Sequence, residues 1–146
     1  MIQLKHILFF SFLMLHAGML GQCLDFAKKT AATAMPPFVT DGNYNACEMH
    51  EGETAEMYKT FFEGQTYRLV VAKANNLPPV YIRVVDKNGT ILFDNQKQNY
   101  ATTWDFKVQT NQMLVVQIKI LEQKNSSIKA KGCVGILFGL ASDKKK

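Results

Sequence analysis

Hydrophobic and polar positions along the chain change rhythm more than once. Residues 7–15 are apolar without a break apart from Ser11. Residues 24–35 then space Leu24, Ala27, Ala31 and Met35 along one helical stripe, with no glycine to weaken a helix. Pro36-Pro37 ends that helix, because proline lacks an N–H and restricts the residue before it. Asp41-Gly42-Asn43 reads as a turn.

From there the period becomes two, the spacing of a strand. Residues 55–62 form one strand and residues 66–74 the next, with Tyr67, Leu69 and Val71 on one face. Only Glu63-Gly64-Gln65 separates them, so a hairpin is expected. Residues 80–85 are apolar on both faces except Arg83, which predicts a strand covered on both sides. Asp86-Lys87-Asn88-Gly89 is the strongest turn, since Asn-Gly accepts the positive φ that a tight hairpin needs. Residues 90–93 return as a strand, and 94–101 are polar loop. Residues 102–108 alternate Trp104, Phe106 and Val108 against Thr103, Asp105 and Lys107. Residues 113–121 alternate as cleanly, 122–131 form a loop and 133–140 a last strand. Seven or eight short strands with turns between them predict a mainly β fold, an antiparallel two-sheet sandwich behind a short N-terminal helix. The rhythm of a parallel α/β sheet is absent, and no internal repeat is visible.

The first apolar run changes the picture from a fold to an address. Lys5 and His6 precede it, small or apolar residues 17–21 follow, and no acid interrupts it. This is the layout of a secretory signal, which needs an apolar core of about 7–15 residues. A membrane anchor needs about 20, and His16, two glycines and Gln22 break the run. The expected divisions are a signal peptide at 1–22, a helix and proline linker at 23–40, a sandwich at 41–141 and a basic tail at 142–146. Cys23 stands where a lipoprotein cysteine would stand, although Gln22 replaces the small residue wanted before it. The protein is therefore expected to be exported, periplasmic or extracellular, and held at the outer membrane only if Cys23 carries lipid.

Export permits a disulfide among Cys23, Cys47 and Cys133, and the residues alone leave all three pairings open. The net charge is +5, with lysines concentrated from Lys107 onward. These are scattered, and only Arg68 and Arg83 offer a guanidinium, so a nucleic-acid surface is not expected.

No catalytic residues are assigned. His50 is the one histidine beyond the signal, and Ser126, Ser127 and Ser142 sit in a loop or near the tail, so no rigid nucleophile–base pair is in view. Cys47 and His50, with Glu48, Glu51, Glu53 and Glu56 nearby, are weak zinc candidates, since a zinc site needs three or four convergent ligands. Asp86-x-Asn88-Gly89-Thr90 resembles the start of a calcium loop but lacks its closing glutamate. Glu48, Glu53, Asp94 and Asp105 offer unspecific carboxylate pairs for a small hydrolase. Asn88-Gly89-Thr90 and Asn125-Ser126-Ser127 match glycosylation acceptors, discounted because the signal looks bacterial. Among the aromatics, Trp104 shares a face with Phe106 and Val108 and reads as core. Tyr81 and Tyr100, flanked by loops or polar residues, are the candidates for a ligand-facing surface. No cofactor is expected.

Gly42-Asn43-Tyr44-Asn45, Gly64-Gln65-x-Tyr67-Arg68, Leu92-Phe93-Asp94-Asn95, Thr103-Trp104-Asp105-Phe106 and Gly132-Cys133-Val134-Gly135 together resemble small exported, uncharacterised proteins of Bacteroidota-type bacteria. More distantly, the Gly-Gln-x-Tyr-Arg run followed by Asp-x-Asn-Gly is similar to the pre-peptidase C-terminal type of β-sandwich, an accessory module. The resemblance implies a jelly-roll-like sandwich without an active site. It also implies a Cys23–Cys133 pair, with Cys47–Cys133 the better pair if Cys23 is lipidated. The functional expectation is an exported, non-catalytic binding or envelope-associated module with a protein or glycan partner. The alternatives are the carboxylate hydrolase and the Cys47/His50 zinc site.

Overall fold

The computed structural model describes residues 18–125 and 127–142. Most of the expected signal, residues 1–17, and the tail from 143 lie outside the described residues, as does Ser126. No described helix is long and apolar enough to cross a membrane.

The chain runs α1 (Gly18–Ala34), β1 (Phe38–His50), β2 (Thr54–Phe61), β3 (Thr66–Lys73), β4 (Val80–Asp86), β5 (Ile91–Asp94), β6 (Thr103–Lys107), β7 (Gln112–Ile120) and β8 (Lys131–Ala141). A short 3-10 turn, Asn95–Gln98, follows β5. The strands form two four-stranded antiparallel sheets, β1-β8-β3-β6 and β2-β7-β4-β5. The mainly β, two-sheet sandwich is thus the fold.

The two sheets face each other across one core. Leu69, Val71, Val134, Ile136 and Phe138 of the first sheet meet Ile82, Val84, Leu114, Val116 and Ile118 of the second, all buried. One flank is zipped by rings. Phe93 stacks on Trp104 at 4.9 Å and Trp104 on Phe106 at 4.2 Å, while Phe61 meets Tyr67, Phe106 and Phe138 edge-on. Trp104 and Phe106 pack on the core but keep partial exposure, because β6 is an edge strand. On the other flank Lys59 Nζ of β2 reaches Asp41 of β1 at 2.7 Å, with the ammonium over the Phe138 ring.

Several local expectations are corrected. Residues 55–62 and 66–74 are not a hairpin, because β2 and β3 belong to different sheets. The Gly64 corner bonds to Val108 instead, Gly64 N–H donating to Val108 O and Val108 N–H to Gln65 O. Strands in opposite sheets can turn their apolar faces inward: Phe61 of β2 and Tyr67, Leu69 and Val71 of β3 are buried, with Ala55 and Met57 half-buried. Asp41-Gly42-Asn43 is not a free turn but an irregularity inside β1, so the sheet already begins at Phe38. The strand at 80–85 is covered on one face only: Val80, Ile82 and Val84 are buried, whereas Tyr81, Arg83 and Val85 are half-buried on the outside. The Asp86–Gly89 hairpin forms between β4 and β5, but only Gly89 takes positive φ, at 81°. Gly89 N–H donates to Asp86 O, the bond of a type I turn followed by a left-handed glycine.

The helix lies on the outer face of the first sheet. Cys23, Ala27, Ala31 and Met35 are its buried line, while Leu24 is exposed. Beneath it lie Val70, Ala72 and Leu137, so this sheet is apolar on both faces. Alanines on the helix and glycines on β8 allow the close approach. A Cβ on Gly139 would fall on Met35, whereas one on Gly135 would make ordinary contact with Ala27. Cys23 is bonded to Cys133 across 110 residues of chain, fixing the start of the helix to β8. Arg68 of β3 holds the other end. Its Nη1 donates to the carbonyls of Ala34, Met35 and Pro36, and its guanidinium covers Phe38 at 4.4 Å and pairs in a fork with Asp105. The Asp105 bond and charge hold the guanidinium firmly protonated, against the pull of burial. A cation there also answers the unpaired carbonyls and negative end of the helix.

Gly139→Val should cost roughly 1–3 kcal/mol by displacing Met35, while Gly135→Ala stays near the parent; denaturant unfolding of the two variants measures the difference. Asp86 provides a pH test. Hydrogen bonds from Thr90 N–H and Asn88 N–H hold its carboxyl below the usual aspartate range. Its contribution is therefore present above the unfolded value of about 3.9 and is lost as pH falls through the lower folded value. Melting curves should show Asp86→Ala less stable than the parent at neutral pH, with the gap closing in that acid window.

Candidate binding face

The two outer surfaces of the sandwich differ. The first sheet is roofed by α1, whereas among the described residues nothing covers the second. Strand register arranges that bare face in rows. Tyr58, Val115, Val85 and Ile91 lie side by side across β2, β7, β4 and β5. Tyr58 is 62% exposed and Ile91 52%, and Met113 beside them is 45% exposed. Large apolar side chains this open are unusual when they fall in one contiguous row.

The next row is polar and internally bonded. Glu56, Gln117, Arg83 and Asp94 are register neighbours. Arg83 Nε donates to Gln117 Oε1 at 2.8 Å, and Gln117 Nε2 donates to Glu56 Oε1 at 2.6 Å. Tyr58 OH donates to the other Glu56 oxygen, and Tyr81 OH to Asp94 Oδ2 at 3.1 Å. The Tyr81 hydroxyl is pushed above the usual tyrosine range by burial first and by Asp94 next, with Arg83 opposing. Tyr58 is raised by its bond to Glu56. Thr54, Lys119 and Tyr81 form a third row, and the polar rows enclose a cleft of about 260 Å3.

Of the two tyrosines singled out from sequence, Tyr81 lines this cleft. Tyr100 is half-buried beyond β5 at the end of the 3-10 turn, in a left-handed conformation with φ 56°. Among the described residues the most exposed aromatics are instead Tyr58 and Phe62. Their signal was present in the alternation of β2, where Thr54, Glu56, Tyr58 and Thr60 share the face opposite Ala55, Met57 and Phe61. Asn95 was also missed. It is fully buried, accepting from Ile82 N–H and donating to Val80 O and Ala101 O, so it completes the backbone bonding of β4. Glu51 is buried in the β1–β2 turn with Oε2 near Gln123 N–H.

The carboxylates considered for hydrolysis are dispersed. Glu48 meets Lys131, Glu53 meets His50, Asp94 meets Tyr81 and Asp105 meets Arg68. Asp94 lies on the outer face of the second sheet and Asp105 beside the helix on the other side of the molecule. Cys47 and His50 do not converge: three residues apart on a strand they point to opposite faces. Among the described residues no three His, Cys, Asp or Glu side chains could hold a metal ion. Asp86 Oδ1 of the calcium-like turn is already committed, accepting from Asn88 N–H and Thr90 N–H.

Cys47 remains a free thiol. It stands at the mouth of a groove of about 370 Å3 between the β1 and β2 edges, beside Met49, Ala55 and Met57. Burial pushes this thiol up, and Glu53 adds to the rise. Glu53 itself is held low, first by the His50 N–H bond. The midpoint of Cys47 alkylation against pH should therefore lie above that of free cysteine, about 8.5. Glu53→Gln should lower it only part of the way; a midpoint at or below the free value would contradict this account.

No protein-family model matches the chain, and no curated protein does. Among solved structures it is similar to PliG of Aeromonas hydrophila, a periplasmic lysozyme inhibitor of g-type lysozyme. The TM-score is 0.50 at 8% identity, covering 71% of this chain and 88% of that one. At that identity the likeness concerns the fold.

Proposed function

We propose that this chain is an exported, non-catalytic module that binds a protein partner through the outer face of the second sheet. The observation that carries the reading is the exposed apolar row Tyr58–Val115–Val85–Ile91 on a sheet face that no described residue covers. Buried aromatic anchors surrounded by polar groups are how protein interfaces concentrate their energy. The dispersion of the carboxylates supports a binding rather than a hydrolytic role. The fold shared with PliG, itself an inhibitor of a lysozyme, is consistent with a protein partner.

Export is supported by the signal-like N-terminus and by a disulfide of the kind that persists in oxidising compartments. The Cys23 sulfur is bonded to Cys133, and a sulfur so bonded carries no thioether lipid; this favours a free over an anchored form. The interleaved strand order supports reading the sandwich as a jelly roll.

The test uses the mature chain, its N-terminus and disulfide first defined by mass spectrometry. The immobilised parent and Tyr58→Ala are exposed to envelope extract, and a protein retained only by the parent is purified and titrated. Tyr58→Ala should weaken that complex by about thirtyfold, the size of a hot-spot loss near 2 kcal/mol, without changing the melting temperature. If every captured protein binds parent and variant equally, the face is not the interface and the reading falls.

A further inference from the structure

The cleft beside the apolar row has a chemistry of its own. Its polar side chains are held in place: Glu56, Gln117 and Arg83 form a bonded chain across three strands, and Tyr81 is fixed through Asp94. Such groups lose little freedom on binding, the condition for a selective site. Arg83 spends only Nε on Gln117, and among the described residues neither its Nη groups nor the Lys119 amine donates a hydrogen bond. Glu56 receives neutral donors on both oxygens and keeps further lone pairs. The site therefore presents free donors beside free acceptors.

Charge balance decides which ligand suits it. Arg83 and Lys119 contribute two positive charges, and Glu56 and Asp94 two negative ones. An anion approaching the Arg83 fork also meets two carboxylates, so it gains little over solvent. A neutral molecule with adjacent hydroxyls meets no such conflict, since each hydroxyl both donates and accepts. The Tyr81 ring lines the cleft, and an aromatic face attracts the weakly positive C–H groups of a sugar ring.

We propose that this cleft is a saccharide subsite taking one neutral sugar ring, with its C–H face against Tyr81 and its hydroxyl edge on Arg83 Nη and Glu56. This goes beyond protein docking and does not depend on it: Glu56, Tyr81, Arg83 and Gln117 line the cleft, which meets the apolar row at the Tyr58 hydroxyl bond to Glu56.

The test is a titration of the isotope-labelled mature chain, followed by NMR of its backbone amides and the Gln117 side-chain amide. The probes are methyl glucoside, methyl galactoside, methyl mannoside and N-acetylglucosamine, with glucuronate and acetate as anionic probes. At least one neutral sugar should shift the signals of Thr54–Glu56, Tyr81–Arg83 and Gln117–Lys119 saturably, at about millimolar affinity for a single ring. Arg83→Lys keeps the charge but loses the fork, and Gln117→Ala frees the chain that holds it. Each should weaken binding about tenfold while the melting curve stays that of the parent, and either variant suffices if the other fails to fold. Ile91→Ser should leave sugar binding intact. The proposal is overturned if no neutral sugar binds, if the shifts map elsewhere, or if only glucuronate and acetate saturate the site. A chain that binds a sugar here but retains no Tyr58-dependent protein would defeat the protein reading alone.

Discussion

Burial of the first sheet on both faces is the constraint on which the rest of the molecule depends. β3 and β8 carry apolar side chains inward, toward the second sheet, and outward, where Val70, Ala72 and Leu137 lie. One partner sheet covers one face. Without a second cover the outer face would meet water, at about 25 cal/mol for each Å2 of apolar surface left exposed. Helix α1 is that cover. Its fit requires small residues on both sides of the contact, which is why Ala27, Ala31, Gly135 and Gly139 meet there.

A short helix cannot be relied on to stay folded by its own propensity, so its two ends are tied down. The Cys23–Cys133 bond restrains the start, and the Arg68 guanidinium collects the last carbonyls at the end. The two ties differ in kind. The disulfide restricts the unfolded chain over a long loop, although how its stabilisation divides between entropy and enthalpy is model-dependent. Arg68 acts in the folded state, where its carbonyl contacts and its stacking on Phe38 matter more than the half-exposed ion pair with Asp105.

The second sheet has the opposite character. It needs only one cover, which the first sheet supplies, and its outer face is left to sort itself into an apolar and a polar row. The asymmetry between the sheets is thus what leaves a surface available for recognition. The polar row is rigid because Gln117 can donate to Glu56 and accept from Arg83 at once, a role that neither a charged nor an apolar residue could fill.

The alternation of β6 and β7, the helix before Pro36 and the Asn-Gly hairpin were all legible in the sequence, because side-chain period and turn chemistry are local properties. Local pattern does not say which strands pair. The four residues between β2 and β3 suit a hairpin or a corner equally, and the corner forms because inward faces of opposite sheets bury more apolar surface. The cysteines show the same division. Their spacing left all three pairings open, and only packing α1 on β8 brought Cys23 to Cys133 and left Cys47 on an open edge. Tyr81 could be picked out as a surface aromatic, but its row depended on register. Residues far apart in the chain, Glu56, Arg83 and Gln117, become neighbours only when β2, β7 and β4 are laid side by side. The sequence by itself determined the element types and the address-like N-terminus, because these follow from runs of adjacent residues. Tertiary structure alone decided the sheet order, the disulfide and the bare face, because each is set by contacts between distant segments competing to bury the same surface.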